Sequence, residues 1–466
     1  MSETETEKIP GKVIAAIIAT GILSLCGVLV ETSMNIAFPT LMREFSVSTS
    51  TVQWMTSIYL LIIAIIVPLS AVLKARFKTK TLFLTANLLF IAGLLIDAFA
   101  IGFPMLLVGR AVQGIGTGIA LPLMFNIIME QVPQQKLGMM MGFGNLITGI
   151  APAIGPTLGG IIISALGWRW IFYLLLPLLL ISLALGSWGI QQKSKLRQVS
   201  FDLLSCLLIT LTFTGLVTGF ANLANAGLVG LTGGGMILLG LIGMGLFAWR
   251  SLTIEQPILQ LALFKNYHFA GQVLMFFCIQ LCSLGFAFLL TNYIQLTNGN
   301  TALIAGLVVM PAGILGAICA PLGGRLLDAW GPRRPILTGT SVVFLSILIF
   351  YLLGTQIDNW VIAIVYSLYM MGMGSCMGAV MTSALGSLPA AAAPQGNAIL
   401  NTLQQFAGSM GTSLAAMIVA SAQSGRGTRS MTTAIGTHHA FLFLLVVAII
   451  INLAGWICIP QRLQSK

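Results

Sequence analysis

Fourteen apolar stretches of about twenty residues, each fit to cross a bilayer, are the feature that most constrains how this 466-residue chain can fold. They fall at 13–36, 52–73, 81–101, 104–128, 137–163, 168–189, 202–222, 231–250, 268–291, 302–322, 335–354, 360–384, 396–422 and 438–459. The whole chain carries only 22 Lys and Arg and 11 Asp and Glu, 7% of its residues, against about a quarter in soluble domains. A soluble core is thereby excluded. Lipid offers no partner to backbone N–H and C=O groups, so the stretches are expected to be helices in an all-α integral membrane protein. The 51 glycines and 17 prolines suit such a bundle, where small residues let backbones approach and neighbours re-satisfy broken hydrogen-bond ladders.

The net charge of +11 does not point to nucleic acid, because the basic residues sit in short connections between stretches. With the N-terminus placed inside, seventeen of the twenty-two fall in cytoplasmic loops or ends; the others are Arg43, Arg110, Arg169, Arg426 and Arg429. Both termini are then cytoplasmic and the protein is a multi-pass component of the cell membrane. The stretch at 13–36 follows an acidic leader and is too long for a signal-peptide core, so it is read as a retained helix. The seven cysteines lie in or beside apolar stretches, where a thiol behaves as a small hydrophobe, and no disulfide is assigned. Cys278 and Cys282 share a helix face but lack nearby His, Asp or Glu to complete a metal shell.

A weak internal repeat places the basic loop from Ala71 beside that from Gly324. The expected organisation is a leader (1–12), an N-terminal six-helix bundle (13–189), a linker with two extra helices (190–267), a C-terminal six-helix bundle (268–459) and a tail (460–466), or 6 + 2 + 6. Motifs of specific spacing accompany it. Gly324, Asp328, Gly331, Arg333 and Arg334 stand in a G-x-L-x-D-r-x-G-r-k pattern, and Arg110, Gln113, Gly114 and Gly116 in R-x-x-q-G-x-g. Gly149, Pro152, Gly155, Pro156, Gly159 and Gly160 spell G-x-x-P-x-x-G-P-x-x-G-G. On these residues, and on Glu31 to Pro39, Trp54, Tyr59, Glu255 to Phe264 and Tyr293 to Gln295, the chain resembles the major facilitator superfamily, specifically its fourteen-helix drug:proton antiporters. The first basic loop departs from the pattern: Ala75 stands where the family has aspartate, which leaves gating to Asp328 with Arg333 or Arg334. The Gly155-Pro156 pair is expected to bend its helix as a hinge, a glycine-rich packing face being the alternative.

Ionisable residues inside the stretches are the sharpest functional signal, since a charge at the bilayer centre costs at least ~2.5 kcal/mol. Glu31, Asp97 and Arg110 all fall in the outer half, roughly 6–9 Å below the boundary at ~1.5 Å per residue. Two carboxylates and a guanidinium could form one proton-coupling network, with Glu31 the first choice; a structural Glu31–Arg110 ion pair is the alternative for the first acid, and a solvated carboxylate nearer the surface the alternative for Asp97. Asn35, Trp54, Tyr59, Gln113, Tyr293, Gln295, Tyr369 and Gln404 are candidates for the substrate pathway. Glu130 and Asp202 are read as interfacial, and so are His268, His438 and His439.

The resemblance implies a secondary active transporter that is not an enzyme, exporting drug-like amphipathic or cationic compounds in exchange for protons by alternating access. An exporter or importer of one endogenous metabolite is the alternative. No G-x-x-x-x-G-K-[ST] motif occurs, so the proton gradient rather than ATP is the expected energy source. No cofactor, metal or nucleic-acid partner is expected; a monomer in the lipid bilayer is compatible with the sequence.

Overall fold

The structure, a computed structural model, describes residues 9–34, 37–47, 49–196, 202–227, 229–255, 257–423 and 427–459. They contain fifteen α-helices: α1 (Gly11–Met34), α2 (Phe38–Glu44), α3 (Thr49–Arg76), α4 (Thr79–Ala98), α5 (Phe103–Gln131), α6 (Leu137–Leu166), α7 (Arg169–Gly189) and α8 (Leu203–Ala226). The remainder are α9 (Met236–Thr253), α10 (Tyr267–Leu296), α11 (Ala302–Trp330), α12 (Arg333–Leu352), α13 (Asn359–Gly386), α14 (Ala393–Gln423) and α15 (Arg429–Cys458). Local chemistry sets several ends. The Asn266 side chain accepts from the His268 and Phe269 amides to start α10, and Thr301 and Thr428 cap α11 and α15. Gly167 and Gly331, at φ +94° and +78°, end α6 and α11 in a conformation that an L side chain rarely adopts.

Among the described residues, twelve helices are long and apolar enough to cross a membrane, where the sequence suggested fourteen. Two long helices lie outside that set: α14, and α6, several of whose side chains lie outside the described residues. α6 packs on α1, α11 and α13, and α14 on α3, α8, α10 and α15. A helix lined by protein tolerates amides that a lipid-facing helix does not, and α14 carries Asn397, Asn401, Gln404 and Gln405. Two corrections concern boundaries. A short helix, α2, follows the first crossing, and α15 begins nine residues earlier than the stretch read from 438, so His438 and His439 lie within it.

In the first half α1 packs on α5, α6 and α7, α4 on α5 and α7, and α3 on α5. In the second α10 packs on α13, α14 and α15, α11 on α13, and α12 on α13 and α15. Helices α8 and α9 pack on each other, and α8 reaches α14 and α3. Phe406 of α14 receives the edges of Phe213 and Phe220 from α8 at 6.5 and 5.9 Å. The two halves meet through α6 with α11 and α13, and through α14 with α3 and α5. We call the end where α1 begins and α3, α5 and α11 finish the basal end, and the opposite one the apical end.

Candidate functional site

The polar core of the first half is built on α5. Arg110 and Gln113, three residues apart, share a face, and both are fully buried. Arg110 Nη1 donates to Gln113 Oε1 at 2.9 Å, and Gln113 Nε2 donates to Asp97 Oδ2 at 2.7 Å. Arg110 Nε donates to the Met55 carbonyl at 3.2 Å, and its guanidinium lies over the Tyr59 ring, 4.1 Å from the centroid. The Tyr59 hydroxyl donates to the Gly27 carbonyl at 2.8 Å and lies 2.9 Å from Thr117 Oγ1. Arg110 is thus held on three sides, while its Nη2 and Asp97 Oδ1 are buried without a hydrogen-bond partner.

Glu31, half-buried on α1, lies within electrostatic reach of Arg110 and takes part in none of the ion pairs among the described residues. Asp97 is also within electrostatic reach of Arg110, and its hydrogen-bond path to the guanidinium runs through Gln113. The sequence placed Gln113 in the substrate pathway, but the structure makes it the bridge between acid and base. Its spacing from Arg110 was legible; its link to α4 required the fold.

The glycines of the antiporter-like motif press α6 onto α1 directly after Glu31. Ser33 Oγ donates to the Gly155 carbonyl at 2.8 Å, and a Cβ on Gly159 would meet Ser33 Cβ at 2.8 Å. Nothing lies within 4 Å of a Cβ added to Gly149 or Gly160. The helix runs unbroken from Leu137 to Leu166 through the motif, and the side chains of Pro152 and Pro156 lie outside the described residues. Asn35 also lies outside them.

Other pathway candidates are dispersed. Trp54 is 49% exposed near the apical start of α3. Tyr293 is buried, donating to the Thr355 carbonyl at 2.7 Å and accepting from the Ile357 amide at 2.9 Å, so it clamps the α12–α13 connection. Tyr369 is fully buried within the second half, 4.6 Å from the Phe286 ring and stacked on Tyr366 at 5.7 Å. Gln295 donates to the Thr291 carbonyl of its own helix, and Gln404 is half-buried on α14.

At the basal end two unlike contacts join the halves, beside a hydrogen bond from Arg325 Nε to Met139 Sδ at 3.3 Å. Asp328 of α11 accepts from the Gly138 amide at 2.9 Å and the Met139 amide at 3.0 Å, with its two oxygens spanning the N-terminus of α6. Gly324 lets the backbones touch, since a Cβ there would overlap the Gly138 carbonyl. Arg333 and Arg334 do not join Asp328: among the described residues it has no ion pair, and Arg333 lies over the Trp456 ring at 5.4 Å. A charge meeting the positive end of a helix needs no cation, which is why the expected acid–base gate is absent. The second contact is neutral: Asn397 of α14 donates to the Pro122 carbonyl at 3.0 Å and to Asn126 Oδ1 at 2.9 Å on α5. Sequence reading missed it because a buried asparagine pair has no local signature. The position of Ala75 is flanked by another missed feature, the Lys74–Glu130 ion pair at 2.5 Å, with Lys74 only 4% exposed.

At the apical end Glu44 of α2 binds Arg169 at 2.7 Å and the Trp168 indole N–H at 2.7 Å, and Arg169 also donates to the Ala100 carbonyl at 2.9 Å. Partial burial favours the neutral acid, but the hydrogen bonds from Trp168 and Arg169 and the Arg169 charge outweigh it and hold Glu44 below the ordinary carboxylate range. At the mouth of the α8–α9 pair Arg250 hydrogen-bonds Asp202, which with the Ser205 hydroxyl lowers that acid too.

The sequence profile described as Major Facilitator Superfamily matches residues 20–412. The chain is 37% identical over 450 residues to lincomycin resistance protein LmrB of Listeria monocytogenes serovar 1/2a (95% of each chain), and 37% identical over 452 residues to the protein of that name in Bacillus subtilis strain 168 (94% of each). It is 27% identical over 399 residues to the multidrug resistance protein B homolog of Mycobacterium tuberculosis, covering 83% of this chain and 73% of that one. The crystal structure of the human organic anion transporter MFSD10 superposes with a TM-score of 0.65 at 13% identity, over 94% of this chain and 100% of that one, a likeness of fold alone. With a profile match across most of its length and full-length relatives above 30% identity, the chain belongs to the Major Facilitator Superfamily.

Proposed function

We propose that the protein is a proton-coupled drug exporter of the cell membrane, working by alternating access with Glu31 as the acid that exchanges a proton for an amphipathic or cationic substrate. The observation that carries this reading is the position of Glu31: half-buried, near a fixed and buried guanidinium, yet unpaired with it. Such an acid can hold a proton or face a cation, and the two occupancies exclude each other. The relatives named for resistance to lincomycin and to multiple drugs support the substrate class.

In this reading α6 and α14 also cross the bilayer, giving fourteen crossings as 6 + 2 + 6 with both termini cytoplasmic. The basal end is then the cytoplasmic one. The hydrogen bonds that join the halves among the described residues all lie there, at Asp328, Arg325 and Asn397, so this conformation is closed to the cytoplasm. Protons descending their gradient reload Glu31 from the outer side, and opening toward the cytoplasm requires these basal contacts to break.

The test is ethidium export from cells expressing the protein, with and without a protonophore, beside the Glu31→Gln variant and a lincomycin growth assay. Export that collapses with the gradient and is lost in the variant supports the reading. Export indifferent to the protonophore would sink proton coupling, and no protection against either compound would point to a single endogenous metabolite.

A further inference from the structure

We propose that Asp97 and Gln113 are positioning residues, which hold the Arg110 guanidinium in place while Glu31 alone carries the proton. The proposal deepens the antiporter reading and rests on it for the role of Glu31. It departs from the grouping of Asp97 with the proton-coupling residues that its intramembrane position suggested.

Two i, i+4 pairs face each other across the α4–α5 contact: Gly93 and Asp97 on α4, Gly109 and Gln113 on α5. The glycines make the meeting possible. A Cβ on Gly93 would stand 2.6 Å from Gln113 Cγ and 2.8 Å from the Gly109 carbonyl, and one on Gly109 would overlap the Asp97 carboxyl. Close helix approach therefore delivers a carboxyl oxygen to the Gln113 amide at 2.7 Å. The amide is used on both sides, receiving Arg110 Nη1 on its oxygen and donating its NH2 to Asp97. That polarity fixes which way the amide points, and so where the guanidinium can sit.

Asp97 is fully buried. A carrier must meet water on one side of the membrane and then on the other, and of the two acids only Glu31 has exposed surface. Among the described residues, the charged and titratable groups around the network are Arg110 and Tyr59, from α5 and α3, and Glu31 and Cys26 from α1. A carboxyl oxygen accepts a hydrogen bond whether or not the group holds a proton, so the role assigned to Asp97 needs an acceptor and no titration. An asparagine supplies that acceptor and a valine does not.

The experiment uses full-length protein in proteoliposomes with an imposed pH gradient, ethidium as the probe, and the variants Asp97→Asn, Asp97→Val, Gln113→Leu and Glu31→Gln. A second readout, independent of transport, is phenylglyoxal labelling of Arg110 in the purified protein, read by mass spectrometry. Asp97→Asn is expected to keep gradient-driven export, its pH profile and a protected Arg110. Asp97→Val and Gln113→Leu are expected to lose transport by roughly tenfold and to expose Arg110 to the reagent, because a buried donor is left without its partner. Asp97→Asn as inactive as Glu31→Gln, with Arg110 still protected, would make Asp97 a proton carrier and overturn the proposal; so would a Gln113→Leu protein with wild-type labelling. If Glu31→Gln alone keeps gradient-driven export, the role of Glu31 fails, while the contrast between asparagine and valine still decides the role of Asp97.

Discussion

Asp328 accepts from the amide of Gly138, 190 positions away, and so ties the end of α11 to the beginning of α6 across the two halves of the molecule. The first amides of a helix have no partner within it, and a carboxylate placed there satisfies them and the helix dipole together. In the proposed alternating-access cycle this contact must break when the basal end opens, which makes it a direct handle on the conformational equilibrium.

Replacing this acid therefore shifts a population rather than unfolding the protein. Asp328→Ala removes a cap of about 1–2 kcal/mol and is expected to raise the basal-open fraction roughly 5- to 30-fold. Spin labels on the basal ends of α6 and α11, read by pulsed dipolar spectroscopy, would show a longer-distance population growing in the variant. An unchanged distance distribution would mean that the other basal contacts, Asn126–Asn397 and Arg325–Met139, set the balance.

The Lys74–Glu130 pair predicts an asymmetry between single and double substitutions. Lys74→Met strands a carboxylate in a protein interior and is expected to lower stability by about 3–5 kcal/mol, whereas Lys74→Met with Glu130→Gln leaves no uncompensated charge and recovers most of it. Thermal unfolding in detergent, followed by size-exclusion chromatography, distinguishes the two. Equal loss in single and double variants would show that the pair's geometry matters more than its charge balance.

Two glycines of the same motif should respond oppositely to one added methyl group. Gly159→Ala forces α1 and α6 apart at Ser33 and is expected to cost about 1–3 kcal/mol. Gly149→Ala meets open space and is expected to be neutral or to gain up to ~1 kcal/mol through helix propensity. Comparing their melting temperatures with the wild type is sufficient, and a damaging Gly149→Ala would indicate that this face closes on another helix in the opposite conformation.

The apical clasp predicts a pH dependence of known sign. Glu44 is held below its ordinary value of 4.5, so its contribution is present at neutral pH and is lost as pH falls through the lowered value. With 5-fluorotryptophan incorporated, the Trp168 fluorine resonance should titrate below pH 4.5 and stop doing so in Glu44→Gln. A Trp168 signal that titrates identically in the variant would assign the change to another group.

The helical class was legible in the sequence because it is a property of single segments: an apolar stretch of bilayer length with its backbone bonded internally is a helix whatever its neighbours are. The family could be read for a related reason, since Gly324 to Arg334 and Gly149 to Gly160 are contiguous patterns. Arg110, Asp97 and Glu31 stood out because charge in an apolar segment is costly wherever it occurs. What those residues touch is a different kind of fact. Gln113 contacts Asp97 because Gly93 and Gly109 let two helices close, Asp328 reaches α6 rather than Arg333, and Tyr369 turns into the second half's own core. Each depends on a distance between segments far apart in the chain, set by how helices pack, and no local pattern of residues encodes such a distance.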